Sequence, residues 1–240
     1  MPSVRRSLRW RTAGKVPDAT PACVVGTCTT AECIVAFVPE GVDPHQLGAV
    51  GLAPDQMLQG YVQGLFPMDE AGAAGPVGWY VTDPRAVILP SDARVPATVR
   101  RMLRRRGYEV RVDTAFGEVV RSCGGDRDGQ WLTPRLAAAY GALHDEGIAH
   151  SVEAWDADRL VGGLFGVWLG RFMTAESMFH RAPDGGNAAI AGLLAIAADG
   201  GAEMIDVQME SPHVARFGAR GIPHGEFMAR LARALAPPPG

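Results

Sequence analysis

From about residue 52 onward the chain switches repeatedly between a helical and a two-residue hydrophobic repeat, and the switches predict most of its elements. Met57, Leu58 and Val62 recur at helical spacing behind Pro54, which suits a first turn, and Gly64 stops that helix before LFPM. WYVTDPRAVILP reads as a strand, a turn at Asp83-Pro84 and a second strand. An arginine-rich helix over 97–106 stopped by Gly107, the strand YEVRV and a helix over about 114–123 come next. Thr133 is the N-cap of a further helix that opens at Pro134, runs through His144 and is closed by Gly147. HSVEAWD and RLVGGLFGVWL alternate as strands around a turn at 156–158, and FMTAESMF follows as a third strand after Gly170. A helix over about 188–198, the strand EMIDVQM and a last helix over 225–235 complete the pattern. Three antiparallel strands, a helix and a parallel return strand predict an α+β core.

Two runs break their own pattern. AESMFHR, residues 175–181, and MIDVQM, residues 204–209, each set an acid into a segment otherwise suited to a buried strand. Strand alternation puts Asp206 and Gln208 on one face and Ile205 and Val207 on the other. A carboxylate beside an amide in a core strand costs free energy unless it is paired or used, so Glu176, Asp206 and Gln208 are the candidates for chemistry. The bland reading is a hydrogen-bonded network that braces the sheet. Ser177, next to Glu176, points to the opposite face. His150 and His180 stand at strand ends, where a structural hydrogen bond is the simpler role, and Cys123 has no sequence-identifiable partner as a nucleophile.

Composition narrows the class. A chain of 240 residues with 47% hydrophobic content supports a sizeable core, and a net charge of −3 excludes a globally basic coat. Charge is nevertheless uneven: Arg94, Arg100, Arg101, Arg104, Arg105, Arg106 and Arg111 crowd a stretch whose only acid is Glu109. Such a run is ordinarily a solvated helix face, and it is also the footprint of a phosphate-backbone partner. No stretch is apolar enough to span a bilayer, and the basic start lacks the apolar core of a signal peptide, which makes the cytoplasm the expected compartment. Cys23, Cys28 and Cys33 are spaced unlike a zinc knuckle, so no metal is expected. Three regions are expected: a poorly patterned leader over 1–33, a small N-terminal domain over 34–90 and a larger domain over 91–236.

QGLFPM, GWYVTDPRAVILP, WLTPRLAAAYGALHDEGIAHSVEAW, LVGGLFGV, AESMFHR and MIDVQMESPHVARFGA, in this order, closely resemble the bacterial leucyl/phenylalanyl-tRNA–protein transferases over about residues 52–235. The resemblance implies a small N-terminal α/β domain followed by a GNAT-like acyltransferase core that uses no acetyl-CoA. It implies transfer of Leu or Phe, with Met a further donor, from aminoacyl-tRNA to an acceptor amine such as the N-terminal Arg or Lys of a protein. Asp206, Gln208 and Glu176 correspond to the catalytic centre. Gln208 would orient the amine, Asp206 would polarise Gln208 and attract the acceptor's cationic end, and Glu176 would fix the amine or the ribose. Met68, Trp79, Leu164, Met173 and Phe179 correspond to the donor side-chain pocket. Tyr61 and Tyr140, with Trp79, would stack on the terminal adenine, and Arg100, Arg101, Arg104 and Arg105 would take acceptor-stem phosphates. The chemistry agrees: an aminoacyl ester is already activated, so aminolysis needs no metal or cofactor, only a neutral amine, orientation and a stabilised oxyanion. A monomer is expected.

Some positions depart from the family pattern. WWSPDPR is WYVTDPR here, the Asp-Ala-Ser-Lys loop is Asp184-Gly185-Gly186-Asn187, and HLASLGA is HVARFGA, which brings in Arg216. These changes motivate a second reading, transfer to a small-molecule amine such as a peptide or nucleoside in a biosynthetic pathway. An acetyl-CoA-dependent acetyltransferase is a third, poorly served by the spacing of glycines in RAPDGGN, and a non-catalytic tRNA-binding protein is a fourth.

Overall fold

The computed structural model describes residues 9–12, 51–69, 75–124 and 131–236. Most of the leader, the start of the small region at Ile34, much of the loops at 69–78 and 124–130, and the PPPG end lie outside the described residues.

Elements follow the predicted order closely. Strand β1 (Arg9–Thr12) comes from the leader, where no periodicity announces it. Helix α1 (Pro54–Val62) buries Met57 and Tyr61. It stops at Gly64, whose φ of 78° suits glycine and whose missing side chain leaves room for Met228 Sδ. Strands β2 (Phe66–Met68) and β3 (Gly78–Tyr80) form a separate antiparallel ribbon. After β4 (Arg85–Ile88) come helix α2 (Ala97–Arg106), β5 (Glu109–Val112), α3 (Phe116–Gly124) and α4 (Pro134–Asp145). Thr133 caps α4 by accepting from the Leu136 N–H, as its sequence position predicts.

The core sheet then builds from β6 (Ala149–Asp156), β7 (Arg159–Leu169), β8 (Phe172–Thr174) and β9 (Ser177–His180). Helix α5 (Gly185–Asp199), β10 (Met204–Gln208), α6 (Pro212–Ala215), β11 (Ala219–Ile222) and α7 (His224–Leu235) follow. The sheet order is β1-β5-β6-β7-β8-β10-β4-β11, with β9 also on β7. The fold is mixed α/β, with seven helices among the described residues. β6, β7 and β8 run antiparallel and β10 returns parallel to β8, the arrangement the pattern predicts.

Alternate strand residues enter two cores. Leu164, Met173 and Ile205 pack with α2 and α5, while Phe165, Phe172 and Met204 pack with α1, α3, α4 and α7.

Three differences from the sequence reading have physical causes. The run FMTAESMF is two strands, because β7 pairs with β8 through Trp168 and Leu169 but with β9 through Gly162 to Phe165. The chain must cross between those pairings, and Ala175 and Glu176 make the crossing. Helix α5 starts at Gly185, earlier than expected, where Gly185 packs against the Val161 carbonyl at a distance that admits no side chain. Finally, β4 lies between β10 and β11 and pairs antiparallel with both, so the segment after Asp83-Pro84 is part of the large sheet. The paired glycines and the short β11 carry too little pattern to announce these features.

Candidate active site

The strand break at Glu176 and the end of β10 meet. Ala175 donates its N–H to the Asp206 carbonyl at 2.9 Å, and Glu176 donates its own to the Phe165 carbonyl at 2.9 Å. Helices α1 and α4 supply Tyr61 and Tyr140, whose hydroxyls lie 2.8 Å apart. Tyr140 donates to Glu176 Oε2 at 3.2 Å. With the carboxylate ionised, the single Tyr140 hydrogen is committed to Glu176, so Tyr61 donates to Tyr140 and a relay of two phenols ends on the acid. Glu176 is half-buried as a residue, yet its Oε1 is closed off from solvent and has no hydrogen-bond partner of proper geometry among the described residues. Burial pushes the Glu176 carboxyl up to about 7, and the Asp206 charge adds to it, against the opposing hydroxyls of Thr174, Tyr61 and Tyr140. Burial, followed by the Glu176 charge, also pushes both tyrosine phenols well above their usual value, so they keep their protons.

Asp206 is 0% exposed and faces Arg85, itself 1% exposed. Arg85 Nε donates to Oδ1 at 2.9 Å and Nη2 to Oδ2 at 2.7 Å, a planar two-bond pair. The Arg85 guanidinium also sits over the rings of Phe66 and Phe227, 4.5 and 4.9 Å from their centroids. Asp206 Oδ1 also accepts the backbone N–H of Gln208 at 3.0 Å. A carboxylate so occupied is buried at tolerable cost, but it has little left to offer an incoming cation.

Gln208 departs from the alternation expected of it. The register on β4 shifts between Asp206 and Gln208, and Gln208 takes a φ of 57°. The Val207 side chain still packs on the α5 core with Ile205, so the repeat holds through Val207 and ends at Gln208. The carboxamide end of Gln208 that faces the carbonyls of Ala175 at 3.3 Å and Val207 at 3.0 Å is assigned as the NH2, because only that orientation gives both carbonyls a donor. Its contact to Asp206 runs through its backbone, not its amide. Thr82 Oγ1 donates to the Gln208 carbonyl at 2.9 Å. Glu176, Asp206 and Gln208 therefore do converge, as their sequence pattern suggests.

The tyrosines and the pocket residues sit differently from the implied roles. Stacking on a terminal base needs an exposed ring face. Tyr61 and Tyr140 are 1% and 0% exposed, packed edge-on to Trp79 and Phe165 respectively, so the structure makes them hydroxyl donors inside the protein. Trp79 is 0% exposed as well, closed over Gly60. Of the five pocket positions, Leu164 and Met173 join the α2–α5 core and Trp79 and Phe179 the opposite one, while Met68 is half-buried on β2. The five are thus divided between the two cores and the β2 ribbon. An apolar hollow of about 190 Å³ walled by Ile88, Ala93, Leu194 and Ala197 holds none of the candidate residues.

On α2, Val99 and Leu103 enter the core, leaving Arg101, Arg104 and Arg105 exposed on one helix face. Arg100 is half-buried and donates to the Val95 carbonyl at 2.8 Å. His150 is held by Asp113 at 2.7 Å and by the Gly147 carbonyl at 3.0 Å, the structural use expected of it. Sequence reasoning gave no role to Arg85 or Thr82. The available signal was an arginine opening the apolar run RAVIL, which needs an acid as much as Asp206 needs a base. Among the described residues no group of three His, Cys, Asp or Glu is placed to hold a metal ion.

A buried acid with phenol donors and a carboxamide, gathered at a break in a mixed sheet, defines a class of centre suited to orienting groups and moving protons. The family model of leucyl/phenylalanyl-tRNA protein transferase matches residues 87–232, and that of its N-terminal domain matches 51–83. Leucyl/phenylalanyl-tRNA–protein transferase of Thiobacillus denitrificans is 45% identical over 196 residues, 80% of this chain and 85% of that protein. Those of Anaeromyxobacter sp. strain K and Cupriavidus taiwanensis are each 44% identical, covering 83% and 85% of this chain and 88% and 84% of their own lengths. The chain belongs to the leucyl/phenylalanyl-tRNA protein transferase family.

Proposed function

We propose that this protein transfers Leu or Phe from an aminoacyl-tRNA to the N-terminal amine of an acceptor protein, by direct aminolysis of the ester. Family membership supplies the donor and the kind of acceptor; the observation that carries the chemistry is the convergence of Glu176, its phenol relay and the Gln208 carboxamide at one strand break. In the reaction the acceptor nitrogen bonds to the ester carbonyl carbon, the bond from that carbon to the tRNA ribose oxygen breaks, and the nitrogen's proton passes to the ribose oxygen. A carboxyl held up to about 7 exchanges protons at working pH, so Glu176 takes the amine proton and returns it to the leaving oxygen. Gln208 orients the amine, and the exposed arginines of α2 take phosphates of the acceptor stem. On this reading the core is a GNAT-like acyltransferase fold joined to a small N-terminal domain that ends before β4, and it acts as a monomer in the cytoplasm without a cofactor. No described helix is long and apolar enough to cross a membrane.

The test incubates the full-length protein with labelled Leu-tRNA and either a peptide beginning with Arg or the same peptide blocked at its N-terminus. Transfer to the first and not the second supports the reading. Transfer only to small amines such as free nucleosides or dipeptides would replace the acceptor. Release of CoA from acetyl-CoA in place of transfer would overturn the activity.

A further inference from the structure

We infer that Arg85, with the strand that carries it, is a positioning residue for aminoacyl transfer, and that Asp206 acts through this linkage and not on the substrate directly. The inference rests on the proposed reading in which Gln208 meets the acceptor amine.

Gln208 has a backbone conformation that non-glycine residues seldom adopt, at φ 57°. Holding it there costs free energy, so its surroundings must over-determine it. Three attachments to one segment do so. Thr82 Oγ1 donates to the Gln208 carbonyl. Ala86 of β4 stands opposite Gln208 across the register shift. Asp206 Oδ1 takes the Gln208 N–H, and Arg85 fixes the plane of that same carboxylate through both its oxygens. Residues 82–86 thus hold Gln208 on its carbonyl side, its amide side and its ladder side.

The linkage continues both ways. Inward, the Gln208 carboxamide reaches the Ala175 carbonyl, and Ala175 precedes Glu176, so the aim of the amide and the place of the acid share one frame. Outward, the guanidinium sits over the rings of both Phe66 of β2 and Phe227 of α7. Arg85 Nη1 has no hydrogen-bond partner among the described residues, while Nε and Nη2 both donate to Asp206. Phe66 precedes the boundary between the two family matches, at residues 83 and 87, and Arg85 lies inside it. How the N-terminal ribbon seats against Arg85 is therefore transmitted to Gln208.

A lysine at 85 keeps a positive charge but offers one point of contact where the guanidinium offers two in a plane. Arg85→Lys lowers kcat for transfer from Leu-tRNA to an Arg-starting peptide by about 100-fold, the scale of a misplaced catalytic group, with KM for the tRNA within about twofold. Asp206→Asn does the same, and the double variant is no slower than either single, because both remove one linkage. Thr82→Val, which disturbs no buried charge, lowers kcat severalfold and leaves the melting temperature near that of the parent. Three results would overturn the inference: a near-parental kcat per folded molecule in Arg85→Lys; multiplying losses in the double variant, which would give Asp206 an action of its own; or, where Arg85→Lys does not fold, an unchanged kcat in Thr82→Val. Gln208→Ala separates the two levels. Full transfer by that variant removes the underlying site reading, whereas its loss alongside an active Arg85→Lys removes only the role of Arg85.

Discussion

Tyr140 donates its hydroxyl hydrogen to Oε2 of Glu176 across 3.2 Å, joining the interior of helix α4 to the one acid placed in the crossing between β8 and β9. The bond favours the ionised acid, while burial and Asp206 disfavour it, and the balance leaves the carboxyl at about 7.

That balance fixes a pH dependence of stability. A raised carboxyl binds its proton more tightly in the folded state, so its contribution is full below the unfolded value near 4.5 and is lost as pH rises to about 7. Glu176→Gln removes the titration. Thermal melts from pH 4 to 8 are expected to show the parent losing stability relative to the variant between about 4.5 and 7, with a constant difference above. A difference that does not change with pH would count against the buried, protonatable acid.

Activity should carry the same group. The kcat/KM of the parent is expected to rise through an inflection near 7 as Glu176 ionises, in addition to the acceptor amine's own ionisation near ~8. Tyr140→Phe removes a donor that lowers the acid's pKa and shifts the first inflection to higher pH. A profile in Tyr140→Phe identical to the parent's would show that the bond has no part in the reaction.

Glu153 is a buried acid of another kind, 0% exposed and fully occupied. It accepts from the Thr114 hydroxyl, the Ala115 N–H at 2.8 Å, the Ser151 hydroxyl at 2.8 Å and Trp155 Nε1 at 3.1 Å, tying the start of α3 to β6. Glu153→Ala strands these donors and is expected to cost about 3 kcal/mol in urea unfolding. Transfer per folded molecule stays as in the parent.

Gly162 of β7 lies under the first turn of α5, where an added Cβ would meet the Gly185 carbonyl carbon at 2.4 Å. Neither partner is a flexible side chain that could move aside. Gly162→Ala is expected to destabilise by about 2–3 kcal/mol, read as a lower melting temperature. Gly141→Ala serves as the control, because a Cβ added there would have nothing within 4 Å.

Replacing Arg101, Arg104 and Arg105 by Gln leaves Val99 and Leu103 of α2 in the core and takes three charges from its exposed face. Binding of Leu-tRNA is expected to weaken, and the slope of log affinity against log salt to flatten by about 0.7–0.9 per lost phosphate contact. An unchanged slope would move the tRNA to another surface.

Local patterning announced most of the elements, and the ordered motifs carried the family resemblance. Helical and two-residue repeats are local, as are caps such as Thr133 and stops such as Gly64 and Gly107, so α1, α2, α4 and the β6–β7–β8 meander were legible. The anomaly of Glu176 and Asp206 was legible too, because an acid in an apolar run is a local fact. What surrounds those acids is set by the packing of distant segments. Asp206 meets Arg85, 121 residues away, and Glu176 meets Tyr140 from α4, 36 residues away. Two tyrosines that look like surfaces for a base are interior donors, since burial is set by what packs over a ring and not by the ring. The break at Ala175 and Glu176 arises because β7 has two partners, and the turn at Gln208 because β4 and the residues before it hold it from three sides. Those are properties of pairing across the fold, which local patterning does not encode.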